Sequence, residues 1–113
     1  MKTVNDQVVT SQSLSANFAS DAILVDQIYG FSMHLIYTGT PSGILSIECS
    51  NDPVQRASDI ANWTPISGAT VTISAAGDTL FNVDKVYFRW IRIKYTFSSS
   101  TGSLSANYFA KGV

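Results

Sequence analysis

Apolar and polar residues alternate with a period of two along much of this chain. Because a β-strand turns successive side chains to opposite faces, each alternating run can bury one face and expose the other. Ala22–Ile28 is more continuously apolar and predicts a further strand. The residues predicted to face the core are Tyr29, Phe31, Met33, Leu35, Tyr37, Leu45, Ile47, Cys49, Val71, Ile73, Ala75, Ile91, Ile93, Tyr95, Phe97, Leu104, Ala106 and Tyr108.

Segments with turn-forming residues separate these runs. The segment TGTPSG at 38–43 fits a hairpin loop, SAAGD at 74–78 a tight reversal, and SSSTGS at 98–103 a connection between two strong strands. The longest irregular piece, 50–62, has room for one helical turn. Seven or eight short strands at regular spacing predict an all-β fold, an antiparallel β-sandwich or jelly roll.

The length of the chain fits one domain, so we expect residues 1–113 to form a single β-sandwich. Residues 1–20 are expected to be an N-terminal arm or an edge strand. The segment SLSANFA at 13–19 echoes SLSANYFA at 103–110. Coincidence in a Ser- and Ala-rich chain is the default interpretation, and the alternative is that both are edge strands, one of which pairs with a neighbouring subunit.

Composition limits the classes of partner. Charged residues make up 13% of the chain against a usual quarter, hydrophobic residues make up 45%, and the net charge is −1. Binding of nucleic acid through a broad electrostatic surface needs a basic excess, so this balance argues against it. Low charge suits a surface that is partly covered in an assembly. We expect no membrane partner and no signal peptide, because no continuous apolar segment is long enough.

The reactive residue types are few. One cysteine, Cys49, allows no intrachain disulfide and is expected to be a small buried side chain, and the single histidine, His34, lies on the polar side of its strand. No metal-ligand spacing, nucleophile elbow or phosphate-binding glycine loop is present. The aspartates at 52, 59, 78 and 84 lie in turn-like contexts. We therefore predict no enzyme activity, no catalytic residue, no metal and no cofactor.

The aromatic residues are the candidates for binding. Carbohydrate sites use exposed aromatic rings, and Trp63, Trp90 and Tyr87 are the ligand-binding candidates. In YFRWIRIKY, at 87–95, alternation places Ile91, Ile93 and Tyr95 in the core. It places Trp90, Arg92 and Lys94 on the other face, where they are predicted to form a contact between subunits. Stacking of a single-stranded nucleic acid on this face is a weaker alternative.

Several of these stretches resemble known families. LSIECSND, NWTPI and YFRWIRIKY look like strands of discoidin-like, galactose-binding-like jelly rolls. The chain from about Gly43 to Gly112 also resembles small phage virion structural proteins, through SNDPV, NWT, SAAG, the Arg-Trp-Ile-Arg strand and TGSLSANYFAKG. No binding residue is carried over from either group.

The phage resemblance implies a β-sandwich on a capsid, tail or fibre. The expected protein is a non-enzymatic virion component, for instance a capsid decoration protein, assembled in the host cytoplasm. Its expected partners are copies of itself, with a homotrimer favoured, and other virion proteins. The alternative function is a carbohydrate-binding module for glycans of the host surface.

Overall fold

The computed structural model describes residues 2–112, and the side chains of residues 3–112. Within this range the chain forms nine β-strands and one short 3₁₀ turn at Ala57–Asp59. The strands are β1 (Lys2–Ser13), β2 (Phe18–Ala19), β3 (Ile23–Leu24), β4 (Ile28–Gly39), β5 (Ser42–Ser50), β6 (Thr64–Ile73), β7 (Gly77–Val83), β8 (Trp90–Ser99) and β9 (Gly102–Gly112).

The strands form two antiparallel sheets. One sheet has the order β1-β9-β4-β7, and the other has the order β2-β8-β5-β6, with β3 also paired to β8. The short strands β2 and β3 share one edge of the second sheet, so the sandwich has eight strand positions. Successive strands mostly change sheet, and β5–β6 is the pair in which consecutive strands are hydrogen-bonded neighbours. This path is that of a jelly roll, which confirms the predicted fold class.

The prediction of a hairpin at 38–43 is wrong. This segment joins β4 in the first sheet to β5 in the second, so the chain crosses between the layers instead of folding back onto its neighbour. The connections at 74–78 and 98–103 also cross between sheets. Pro and Gly residues indicate where the chain reverses, but the partner of the next strand depends on which apolar faces meet.

The inward faces of the two sheets form one core. Met33, Leu35, Ile91, Ile93 and Tyr95 have no solvent exposure, as their alternation predicts. Three residues predicted to be inward, Tyr29, Phe97 and Ala75, are exposed. A register irregularity lies between Ile28 and Gly30 in the β4–β9 pairing, and another between Ser42 and Gly43 opposite Phe97. Such irregularities break the alternation at the ends of the sandwich. Ala75 is exposed because it lies beyond the end of β6.

The repeated SLSAN segments occupy unlike positions. β9 runs between β1 and β4, so the second copy lies inside a sheet and the alternative interpretation, that both segments are edge strands, is wrong. Ser13, at the end of β1, pairs with Ser103, and the chain after Ser13 crosses to the other sheet. β1 itself lies at a sheet edge.

Candidate functional site

The loop between β5 and β6 is organised by one carboxylate. Asp52 Oδ2 accepts hydrogen bonds from the backbone N–H groups of Ala61, at 2.7 Å, and Asn62, at 3.0 Å. Its Oδ1 accepts a third hydrogen bond from Asn62 Nδ2 at 3.1 Å. These bonds stabilise the charged form and hold the pKa of Asp52 below its ordinary value. The two ends of the loop are therefore fastened together.

A second set of bonds fastens this loop to the start of β8. The backbone N–H of Arg89 donates to Asn51 Oδ1 at 2.9 Å, and its guanidinium donates to the carbonyl of Val54 at 3.4 Å. The guanidinium also lies 4.0 Å from the Asp26 carboxylate. Arg89 thus connects three segments that are distant in the sequence.

An open groove of about 430 Å³ lies between this loop and the segment before β8. Two of the three predicted ligand residues, Trp63 and Tyr87, border it, and Tyr87 is 82% exposed. The lining residues are Cys49, Ser50, Asn51, Asp52, Asn62, Trp63, Thr64, Tyr87 and Phe88. The groove combines three aromatic side chains with several amide and hydroxyl groups, which is the composition of a small-molecule site.

Trp63 is supported from outside the groove by a cation. The Arg92 guanidinium lies 4.4 Å from the centroid of the Trp63 ring, and Arg92 Nε donates to Glu48 Oε1 at 2.8 Å. Arg92 and Glu48 are direct neighbours across β8 and β5. A guanidinium fixed by a carboxylate is a rigid base for an aromatic ring. Trp63 is therefore held in one position beside the groove.

The burial of Trp90 corrects its predicted exposure. The Trp90 ring is only 6% exposed, and its indole N–H has no hydrogen-bond partner within residues 2–112. Trp90 pairs with Leu24 on one side and Ser50 on the other, and the Arg89 guanidinium lies 5.8 Å from its ring. Alternation assigned Trp90 correctly to the side opposite Ile91, but neighbouring groups cover that side. The ring therefore offers no surface to a ligand or a subunit.

The other two predicted interface residues differ from each other. Arg92 is already engaged by Glu48 and Trp63, which leaves it little freedom to bind a nucleic acid base or a neighbouring subunit. Lys94 is half-buried beside Ser46 and has no ion-pair partner in the part of the chain that the structure describes. Of the predicted triad, Lys94 is the residue whose charge is available for a contact.

A second surface, on the outer face of the four-stranded sheet, was not predicted. Leu80 is 54% exposed on β7 and Phe109 is 41% exposed on β9, with β4 running between them. His34 lies beside Leu80 across the strands and its Nε2 is 2.7 Å from Asp78 Oδ2. We call Leu80, Phe109, His34 and the half-buried Ile36 the outer apolar face. The signal in the sequence is an extra apolar residue beside a core residue, as in Leu80-Phe81 and Tyr108-Phe109.

Other chemistry is sparse in the described residues. Between residues 2 and 112 no group of three or more His, Cys, Asp or Glu side chains is placed to share a metal ion. Over the same range no helix has the length and apolar character to cross a membrane. Cys49 is half-buried, and burial, together with the neighbouring Glu48 charge, raises the pKa of its thiol. A raised pKa disfavours the reactive thiolate.

Comparison with known proteins shows a shared fold. No protein-family model matches this chain, and no curated protein sequence does. The SPBc2 prophage-derived protein YomS is similar in structure, with 5% identity, a TM-score of 0.61, and coverage of 96% of this chain and 92% of YomS. A Bacillus endospore appendage protein that forms disulfide-linked pili has 17% identity, a TM-score of 0.54, and coverage of 98% and 89%.

The Triatoma virus capsid is a third structure with this likeness. It has 9% identity, a TM-score of 0.54, and coverage of 97% of this chain and 87% of the capsid chain. At these identities the likeness concerns the path of the backbone and not the side chains of a site. The chain therefore has the β-sandwich fold found in a prophage protein, a pilus protein and a viral capsid protein.

Proposed function

We propose that this chain is a non-enzymatic structural component of a phage virion. In this role it assembles with copies of itself and with other virion proteins on a capsid, tail or fibre. The observation that carries the proposal is the outer apolar face, presented by a rigid jelly roll with little charge. The similarity to a prophage protein, a pilus protein and a viral capsid protein supports the same role.

The outer apolar face has the properties of a contact between subunits. Leu80 and Phe109 expose large apolar side chains on neighbouring parts of one sheet. The polar residues Ser32 and Asn107 of this surface are uncharged, and the Asp78 carboxylate beside Leu80 is hydrogen-bonded to His34. Interface cores are depleted of charge and enriched in aromatic residues, and exposed apolar patches mark sites of association. Lys94, on the opposite sheet, is a candidate for a polar contact with a further subunit.

Light scattering with matched variants tests this role. At about 50 μM, well above the dissociation constant of a stable assembly, we expect an oligomer, with a trimer favoured. The double variant Leu80→Lys/Phe109→Lys should disperse it. Burial of the lysine charges between two subunits without acidic partners would be unfavourable. Thr72→Lys, at an exposed position on the other sheet, is the control and should leave it intact. A strict monomer in the unmodified chain would contradict the proposal.

A second candidate function is adhesion to glycans of a host surface. The observation that favours it is the groove, which brings Trp63 and Tyr87 together although 24 positions separate them in the sequence. Retention on a broad array of immobilised glycans is expected, and Trp63→Ala should abolish it while the circular dichroism spectrum stays that of the unmodified chain. Lack of retention on every glycan would remove this candidate and leave the assembly role untouched.

A further inference from the structure

The groove contains hydrogen-bonding groups that the protein itself does not use. Asn51 employs its Oδ1 for the Arg89 backbone, which leaves its Nδ2 donors without a partner within residues 2–112. Asn62 employs its Nδ2 for Asp52, which leaves its Oδ1 acceptor unused in the same range. The hydroxyl of Thr64 likewise has no side-chain hydrogen bond there. Two side-chain amides that line the groove thus keep unused hydrogen-bonding groups, the Nδ2 donor of Asn51 and the Oδ1 acceptor of Asn62.

The charge of the groove selects against anions. Asp52 is the one charged residue among its lining residues, and all three hydrogen bonds of its carboxylate are made within the loop. The nearest cations are already paired, since Arg92 is bound by Glu48 and Arg89 lies near Asp26. No lining group can neutralise a carboxylate, a sulfate or a phosphate. A ligand here should not be an anion, because its charge would lie near Asp52 and would find no cationic partner among the lining residues.

From these groups we propose that the groove binds one neutral sugar unit of a glycan. The apolar face of the sugar ring packs on Tyr87 or Trp63, and its hydroxyls bond to Asn51 Nδ2, Asn62 Oδ1 and the Thr64 hydroxyl. The volume of about 430 Å³ falls within the range of small-molecule sites, roughly 300–1,000 Å³. This inference rests on the second candidate function and names the class of sugar that it recognises.

The surrounding contacts give the site its preorganised geometry. The Arg92–Glu48 pair fixes Trp63 from behind, and the Asp52 bonds fix Asn62 through its backbone and its side chain. The Arg89 backbone fixes the Asn51 amide. Groups that are already ordered lose little conformational entropy when a ligand binds. Arg92, Glu48 and Asp52 therefore act as positioning residues, while Tyr87, Trp63, Asn51 and Asn62 contact the sugar.

Titration with matched neutral and acidic sugars tests the inference. The probes are glucose, galactose, mannose and N-acetylglucosamine against glucuronic acid and N-acetylneuraminic acid, followed by chemical-shift changes of the backbone amides. We expect at least one neutral sugar to shift the amides of Asn51, Asn62 and Tyr87. We expect both acids to bind at least about tenfold more weakly than that sugar.

Two variants and a control assign the contacts. Tyr87→Ala should weaken binding by about tenfold or more, and its high exposure means that the fold is retained. Asn51→Asp keeps the acceptor for Arg89 but removes the free N–H donors, so it should weaken binding with no loss of thermal stability. Phe97→Ala removes an exposed aromatic ring towards the far end of β8, outside both the groove and the outer apolar face, and should leave binding unchanged.

The outcomes separate the inference from the function on which it rests. Acidic sugars that bind as tightly as neutral ones, or shifts that avoid the groove, would overturn the neutral-sugar site while adhesion to glycans stands. Absence of binding to these sugars and to every glycan of the array would overturn both. Retention of full affinity in Tyr87→Ala and Asn51→Asp together would also overturn the site.

Discussion

At the scale of single residues, two core tyrosines differ in how their hydroxyls are satisfied. Tyr95 Oη donates to the carbonyl of Ser42 at 3.0 Å, whereas Tyr108 Oη is buried without a partner among the described residues. Tyr95→Phe should lower the free energy of unfolding by about 1 kcal/mol, the usual net value of a hydrogen bond. Tyr108→Phe should leave it unchanged or raise it by up to about 1 kcal/mol, because it removes an unsatisfied group. Urea unfolding of both variants measures the difference, and equal losses would contradict it.

Tyr108 also makes the free energy of unfolding depend on pH in the alkaline range. Burial raises the pKa of Tyr108 from an ordinary value of 10.0 to about 12. Between these values the unfolded chain releases a proton that the folded chain keeps, so the free energy of unfolding falls as the pH rises. Tyr108→Phe should reduce this fall. Because burial also raises the pKa of Tyr95, part of the slope should persist in the variant. An unchanged slope between pH 10 and 12 would contradict the assignment to Tyr108.

Asp52 should control the order of the groove loop and leave the sandwich unaffected. Asp52→Ala removes the acceptor of the Ala61 and Asn62 amides, which should then exchange their hydrogens faster. Because the pKa of Asp52 is lowered in the folded state, its stabilising effect is complete above the ordinary value of 3.8 and is lost as the pH falls through the lowered value. Asp59→Ala, in the same loop, is the control for hydrogen exchange measured near neutral pH. Equal exchange at both amides in the two variants would argue against the role of Asp52.

At the scale of elements, the close approach of β4 and β9 depends on a glycine. A Cβ on Gly102 would lie 2.2 Å from the carbonyl oxygen of Thr38, a backbone atom that cannot move aside. Gly68 instead has a φ of +82° with no atom near the position of its Cβ. Gly102→Ala should cost about 3 kcal/mol or more, the upper part of the range for overpacking. Gly68→Ala should cost about 1 kcal/mol, from its left-handed backbone alone. Thermal unfolding of both variants tests which substitution destabilises the protein more. A smaller loss of stability in Gly102→Ala than in Gly68→Ala would contradict the prediction.

The strands and the pairing of strands were not equally visible in the sequence. Alternation located β8 and β9 and assigned Ile91, Ile93 and Leu104 to the core. It did not reveal β1, because two bulges between Gln7 and Gln12 and the positive φ of Ser11 interrupt its period. Which sheet each strand enters depends on contacts between residues far apart in the chain, and turn residues carry no information about them.

The candidate site was predictable only in part for a similar reason. Residue type was enough to select Trp63 and Tyr87, since large aromatic rings near turns are frequent binding groups. Their meeting in one groove depends on the path of the loop that Asp52 fastens. The burial of Trp90 depends on Arg89 and on strands at both sides, and alternation within one strand contains no such information.

At the scale of the whole molecule, the jelly roll is built from contacts that are distant in sequence. Lys2 pairs with Gly112, and Phe31 pairs with Ala110. Each such pairing requires closure of a long loop before it gains stability, so folding should take milliseconds to seconds. The fluorescence of Trp63 and Trp90 in a stopped-flow refolding experiment would measure this time. Refolding within microseconds would contradict the dependence on distant pairings.

A circular permutant isolates the contribution of β9 to this slow folding. Because Lys2 and Gly112 are paired neighbours, a short Gly/Ser linker can join the two ends, and new ends can be opened between Ser99 and Ser100, which are exposed. β9 then precedes β1 as one arm of a hairpin, and its other partner, β4, also becomes closer in sequence.

The permutant should keep the native far-ultraviolet circular dichroism spectrum and should refold roughly tenfold faster, because both pairings of β9 now close shorter loops. The original chain with the same linker as a C-terminal tail is the control and should refold at the original rate. A permutant that is native in structure but no faster would mean that β9 joins the sheet only after the rate-limiting step. Folding would then be limited by the second sheet, where β8 must pair with β5 and with the edge formed by β2 and β3.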